Sequence, residues 1–256
     1  MNDRIQRAFS ARKAFIPFIT AGDPSLDVTE QLVYALEGAG ADLIELGIPF
    51  SDPVAEGPVI QAADERALST GFTTDQLFEL VGRVRRKTDI ALAFMTYLNP
   101  VYAYGRERFV REAAERGVDA LIVPDVPFEE RGELAPLCAK HGVSFISLIA
   151  PTSKERVLRI AAEAQGFVYC VSSMGVTGMR ESLGHDIGEM VRMVKTTRDI
   201  PCAIGFGVST PEQAREMAAL ADGVIVGSAI VDIVGRYGKD CVEHVTEFAG
   251  EIRAAL

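Results

Sequence analysis

The chain has 256 residues, 48% of them hydrophobic, enough to bury a large core in one α/β barrel or two small domains. Its 26 basic and 36 acidic side chains leave a formal net charge of −10, which disfavours a nucleic-acid or anionic-membrane surface. The four cysteines, Cys138, Cys170, Cys202 and Cys241, stand far apart with no CxxC pair, so neither a zinc motif nor a thioredoxin-like site is indicated and reduced thiols are expected.

The N-terminal MNDRIQRAFSARK mixes charges with apolar residues at helical spacing and lacks the apolar core of a signal peptide. No apolar run approaches the roughly 20 residues of a membrane span, and a cytoplasmic protein is expected. After this short helix, Ala14 to Thr20 reads as a strand and Ser25 to Ala39 as a helix. Asp42 to Gly47 is the second strand. Helices over Ile60 to Leu68 and Thr74 to Arg86 follow, with Thr73 or Thr74 as cap. The third strand is Ile90 to Thr96, followed by a helix from Glu107 to Arg116 that Gly117 ends.

The alternation continues with strands at Ala120 to Val123, Ser144 to Ile149, Phe167 to Val171, Cys202 to Gly205 and Gly223 to Val226. Between and after them, helices are expected from about Glu129 to Lys140, Lys154 to Ala164, Ile187 to Thr197, Pro211 to Ala219, Ser228 to Val234 and Lys239 to Ala255. Eight strand-then-helix units whose strands are near-continuous apolar runs imply a parallel sheet covered by helices. In this length they close most naturally into a single (β/α)8 barrel over residues 1–256 with an extra N-terminal helix; a doubly wound open sheet is the alternative. Chemistry in such a barrel sits in the loops after the C-terminal ends of the strands.

One of those loops stands out: Glu45 to Gly57, ELGIPFSDPVAEG. Glu45 ends an apolar run, where a charge is expensive to desolvate unless the site uses it. A second acid, Glu56, lies eleven positions on, across a run of turn formers. Two carboxyls in different surroundings are a common way to obtain a proton donor and an acceptor together, although a strand-borne Glu is also often a salt-bridged residue. At the late loops, Gly175-Val176-Thr177-Gly178, Gly205-Phe206-Gly207 and Gly227-Ser228 would let backbone amides approach an anion, helped by a helix starting near Ser228. Loops after the seventh and eighth strands are a frequent phosphate site, so a phosphorylated small molecule is the expected ligand.

The six lysines all fall in helices or connecting segments, which argues against a Schiff base, and His141, His185 and His244 lie apart and off the strand ends. Carboxylates, hydroxyls and backbone dipoles remain, pointing to acid-base chemistry without a protein-bound cofactor.

The strings PFITAGDP (Pro17 to Pro24), IELGIPFSDPVAEGPVIQ (Ile44 to Gln61), VPDVPFEE (Val123 to Glu130), SSMGVTGMR (Ser172 to Arg180), GFGVSTPEQ (Gly205 to Gln213) and VGSAIV (Val226 to Val231) resemble the tryptophan synthase alpha chain family over nearly the whole length. The resemblance implies reversible retro-aldol cleavage of indole-3-glycerol phosphate to indole and glyceraldehyde 3-phosphate. Glu45 matches the family's essential carboxylate. Glu56 stands where the family usually has an aspartate, one methylene shorter, that accepts the indole N–H.

By the same resemblance Tyr169 lies near the reacting glycerol chain, and Thr177 belongs to the loop that closes over the substrate. Gly178, Gly207, Gly227 and Ser228 match phosphate-holding positions, and Phe18, Phe94, Ile122 and Phe206 are candidate walls for the indole. No role is assigned to Thr96 to Tyr102, where the chain departs from better-known bacterial versions. The family also implies a partner, the pyridoxal-phosphate-dependent tryptophan synthase beta chain in an alpha2beta2 tetramer, with Asp52 and Pro53 near the interface and no cofactor in this chain. A phosphate-binding isomerase on the same scaffold, a non-catalytic regulatory subunit and a stand-alone lyase releasing free indole are the rival readings.

Overall fold

The computed structural model describes residues 3–150, 153–171, 180–205 and 207–256, and within residues 180–186 the backbone alone. Its strands are β1 (Ala14–Thr20), β2 (Leu43–Gly47), β3 (Ala91–Met95), β4 (Ala120–Ile122), β5 (Ser144–Phe145), β6 (Ser147–Ile149), β7 (Val168–Val171), β8 (Cys202–Gly205) and β9 (Gly223–Val226). All pairings are parallel, in the order β5-β4-β3-β2-β1-β9-β8-β7-β6.

The two ends of that order are consecutive in sequence, so the sheet closes on itself through Ile146. The Ile146 amide still donates to the Leu121 carbonyl at 2.9 Å, whereas Ser147 already pairs with Val168. The expected fifth strand is therefore one extended segment that exchanges its neighbour midway. The expected (β/α)8 barrel is the observed architecture.

Side chains alternate between two cores, as strand pleating requires. In β2, Ile44 and Leu46 point outward to the helices, while Leu43 joins Ala93, Ile122, Phe167 and Ile225 inside the barrel. The N-terminal helix α1 (Asp3–Ala8) inserts Ile5 and Ala8 into that interior from below.

Aspartates tie the strand N-termini together. Asp42, Asp119 and Asp222 each directly precede a strand and accept the amide of Phe15, Leu92 and Cys202, at the start of the adjacent earlier strand, at 2.8, 2.9 and 2.8 Å. Each also pairs with a cation: Arg253 on Asp42, Arg85 and Arg4 on Asp119, Lys195 on Asp222. Such charge-assisted bonds hold the end of the barrel opposite the loops that follow the strands.

The helices follow the expected pattern with three informative exceptions. The segment expected as one helix from Glu129 to Lys140 is a 3-10 turn over Phe128–Glu133 and then α-helix Ala135–His141, because Pro136 has no N–H for the Gly132 carbonyl. An additional helix, Leu98–Tyr104, takes Pro100 in its first turn, and its leading amide is accepted by Asp125 at 3.0 Å. The helix after the sixth-strand loop begins at Arg180, seven residues before the expected Ile187. Thr73 is the cap of Thr74–Val84 and forms a full capping box with Gln76.

Candidate active site

Because Leu43 and Gly47 flank it at two-residue spacing, Glu45 points into the barrel, beside Phe18 in β1 and Ala93 in β3. It is completely buried, and neither carboxyl oxygen has a hydrogen-bond partner among the described residues. Desolvation raises its pKa from the ordinary carboxylate range to about 8, so at neutral pH it holds its proton. The nearby Tyr169 hydroxyl is raised well above its usual range, first by burial and then by the Glu45 charge.

Two glycines make room for the aromatic neighbours. A Cβ on Gly47 would approach the Phe18 ring tip to 2.4 Å, and one on Gly205 would lie 2.5 Å from the Tyr169 hydroxyl. Without side chains at these strand ends, both rings lie across the mouth of the barrel.

These groups open onto a cavity of about 330 Å³. Phe18, Glu45 and Tyr169 line one part of it, and Glu56, Ile60 and Met95 another. Gly207, Ser209, Gly227, Ser228 and Ala229, from the segments after β8 and β9, complete the lining. There the helix Ser228–Tyr237 presents its first amides with no side-chain cap, and Gly207 takes φ +73°, a left-handed conformation that suits glycine. An uncapped helix N-terminus beside two glycines is a ready anion seat. A second cavity, of about 410 Å³, lies beyond Ala55 against Phe128 and Arg131 and has no carboxylate among its described lining residues.

Glu56 is held at the rim. Its carbonyl accepts the Gln61 amide at 2.8 Å, and the neighbouring Ala55 N–H donates to the Tyr97 hydroxyl at 3.2 Å. Burial raises the Glu56 pKa; its Oε2 atom is buried with no hydrogen-bond partner among the described residues, and the Asp64 carboxyl and Tyr97 hydroxyl are its polar neighbours.

Several expectations need correction or fall outside the described residues. Phe94 is not a wall of the cavity: its position in β3 turns it outward, where its ring packs on Phe78 and Phe109 at centroid distances of 5.9 and 6.3 Å. Ile122 does point inward, but it is part of the barrel's packed interior rather than the cavity lining. Thr177, Gly178 and Phe206 lie outside the described residues.

Sequence reasoning missed Tyr97, in the segment given no role, and Asp64. Asp64 carried a legible signal. It falls with Ile60, Ala63 and Ala67 on the buried face of the helix Pro58–Ser69, where an acid is out of place.

With this geometry in view, the comparison with known families is decisive: the family model described as tryptophan synthase alpha chain matches residues 6–256. The chain belongs to the tryptophan synthase alpha chain family. Among curated tryptophan synthase alpha chains, that of Halalkalibacterium halodurans is 52% identical, over 91% of this chain and 88% of its own. The tryptophan synthase alpha chain of Caldanaerobacter subterraneus subsp. tengcongensis is 46% identical, over 99% of this chain and all of its own. Solved tryptophan synthase structures agree. The Legionella pneumophila alpha chain superposes with a TM-score of 0.88 at 36% identity, covering 100% of this chain and 97% of that one. A chain of the Pyrococcus furiosus tryptophan synthase a2b2 complex, described as mutually activated, gives 0.88 at 38%, covering 95% and 98%.

Proposed function

We propose that the 256 residues form one barrel domain that cleaves indole-3-glycerol phosphate to indole and glyceraldehyde 3-phosphate through Glu45, with Glu56 supporting the ring nitrogen. The observation that carries the assignment is a fully buried carboxyl with both oxygens unpartnered among the described residues, lining the same cavity as an uncapped helix N-terminus that suits an anion. Glu45 enters the reaction as the neutral acid and gives its proton to C3 of the indole, which places positive charge on the ring nitrogen. The carboxylate of Glu56 faces that charge.

Glu45, now ionised, takes the proton of the hydroxyl on the adjoining carbon of the glycerol chain. The bond from C3 to that carbon breaks, its electron pair restores the aromatic ring, and the hydroxyl carbon becomes the aldehyde. Glu45 ends the cycle protonated, as it began. The protonated indole is itself the electron sink, so no cofactor is required in this chain; pyridoxal phosphate belongs to the beta chain.

Phe18, Tyr169 and Met95, with Phe206 by resemblance, would enclose the indole and glycerol; Gly207, Gly227 and Ser228, with Gly178 by resemblance, would hold the phosphate, and Thr177 by resemblance belongs to the loop that closes over the substrate. The Tyr97 hydroxyl and the Gln61 side chain keep the Glu56 loop in place. The partner is the tryptophan synthase beta chain, supported by one solved relative from a tryptophan synthase a2b2 complex and another from a tryptophan synthase complex. Among the described residues no helix is long and apolar enough to cross a membrane, and we place the enzyme in the cytoplasm.

The test is to incubate the purified chain with indole-3-glycerol phosphate, with and without beta chain, and follow triose phosphate release beside Glu45→Gln. Wild-type release that disappears in the variant is the expected result. Equal release from both would overturn the role of Glu45.

A further inference from the structure

Asp64 is an acid where the fold has no evident need for one. It lies on the buried face of the helix Pro58–Ser69, beside Ile60 and Ala63, and is only 4% exposed. Among the described residues no cation pairs with it. The nearest candidate on its own helix, Arg66, is committed to Asp23 through two bonds of 2.9 and 2.8 Å. What Asp64 does face is Glu56, from the loop after β2, whose Oε2 atom is buried and has no hydrogen-bond partner among the described residues, an open acceptor that a proton on Asp64 would satisfy.

The other groups around the pair do not supply positive charge. The Tyr97 hydroxyl faces Glu56 from the segment after β3, with Asp125 beyond it. The Phe50 backbone amide reaches Asp64, and Asp23 adds negative charge from the loop after β1. Two carboxyls in contact and shielded from water do not both ionise near neutral pH; they share one proton and titrate as a unit. The Asp64 pKa is accordingly raised, by burial first and then by the Glu56 charge.

We propose that Asp64 is a positioning residue that shares one proton with Glu56 and so keeps the loop carboxylate aimed at the cavity. The inference rests on the reading of that cavity as the lyase site. Asp64 does not touch the substrate. It acts by donating a hydrogen bond to Glu56 while the proton is in place. When the proton leaves at alkaline pH, two adjacent negative charges push the loop acid away.

The experiment compares wild type, Asp64→Asn and Asp64→Ala. The asparagine amide is a permanent donor that imitates the protonated acid. With indole-3-glycerol phosphate as substrate, Asp64→Ala should lower kcat/KM about tenfold or more at neutral pH, and Asp64→Asn should restore most of that loss. The ratio of kcat/KM for Asp64→Asn over wild type should rise with pH between about 6 and 9, because Glu45 is common to both and cancels.

A second readout needs no substrate. A folded pair that keeps a proton the unfolded chain releases makes wild type lose stability as pH rises from about 5 to about 8, and Asp64→Asn should lose less. A pH-independent kcat/KM ratio together with parallel stability curves would overturn the proposal. If wild type shows no cleavage but the stability curves still diverge, the shared proton stands and the lyase reading falls.

Discussion

A carboxyl enclosed by a barrel wall avoids the cost of an unsolvated charge either by finding a cation or by keeping its proton. Among the described residues Glu45 has no cation, and it keeps the proton, which is the form the proposed cleavage starts from. Glu45→Gln should therefore reduce kcat by about 10²-fold or more while leaving KM near wild type, measured by triose phosphate release. The wild-type rate should fall as pH rises through about 8, where the acid form is lost.

Stability carries the same signature. The unfolded Glu45 releases its proton near its ordinary pKa, about 4.3, and the folded one near 8, so the folded state binds more protons between those values. Raising the pH through that window should destabilise the wild type. In Glu45→Gln the fall should be smaller, as read from thermal midpoints across the range.

Among the elements, the strand ends divide the work. At the C-terminal ends, Gly47 and Gly205 give space to Phe18 and Tyr169. Gly205→Ala would drive a methyl into the Tyr169 phenol and displace the ring. We expect a stability loss of about 1–3 kcal/mol by chemical denaturation, with a larger fractional loss of cleavage than Gly223→Ala, whose site lies near Phe9 at the other end.

At the N-terminal ends the aspartates hold neighbouring strands in register. Asp119 serves Leu92, Arg85 and Arg4 at once, and Arg85 is itself largely buried. Removing the acid leaves the Leu92 amide without its acceptor and the Arg85 guanidinium without its carboxylate, held by the Gly117 and Ile90 carbonyls. Asp119→Ala should cost about 3–5 kcal/mol in equilibrium unfolding, with little change in KM for the protein that remains folded.

For the whole molecule, the loop after β2 links the chemistry to its surroundings. Glu56 at its inner end faces the cavity, while Val54 near its outer end is 78% exposed and adjoins Asp52 and Pro53. The family resemblance places Asp52 and Pro53 near the beta chain, so we expect that partner to cover the exposed Val54 beside them. Adding beta chain should raise the cleavage rate, and Val54→Glu should weaken that activation while leaving the thermal midpoint of the isolated chain unchanged. An activation curve identical to wild type would remove Val54 from the interface.

The local chemistry of the chain determined the barrel, its strand order and the prominence of Glu45. Apolar runs of strand length, helix caps such as Thr73 and turn residues at the right spacing are short-range signals, and an acid at the end of an apolar run stands out in one dimension. Tertiary structure decided what depends on groups distant in sequence.

The helix Leu98–Tyr104 is capped by Asp125 from the following loop, and the fifth strand is divided by its change of partner. Phe94 faces outward because the pleat of β3 is set by its neighbours, β2 and β4. The meeting of Glu56, Asp64 and Tyr97 follows from the packing of a loop, a helix and a strand end. No local propensity encodes such a meeting, because the side chains interact only after the barrel has closed.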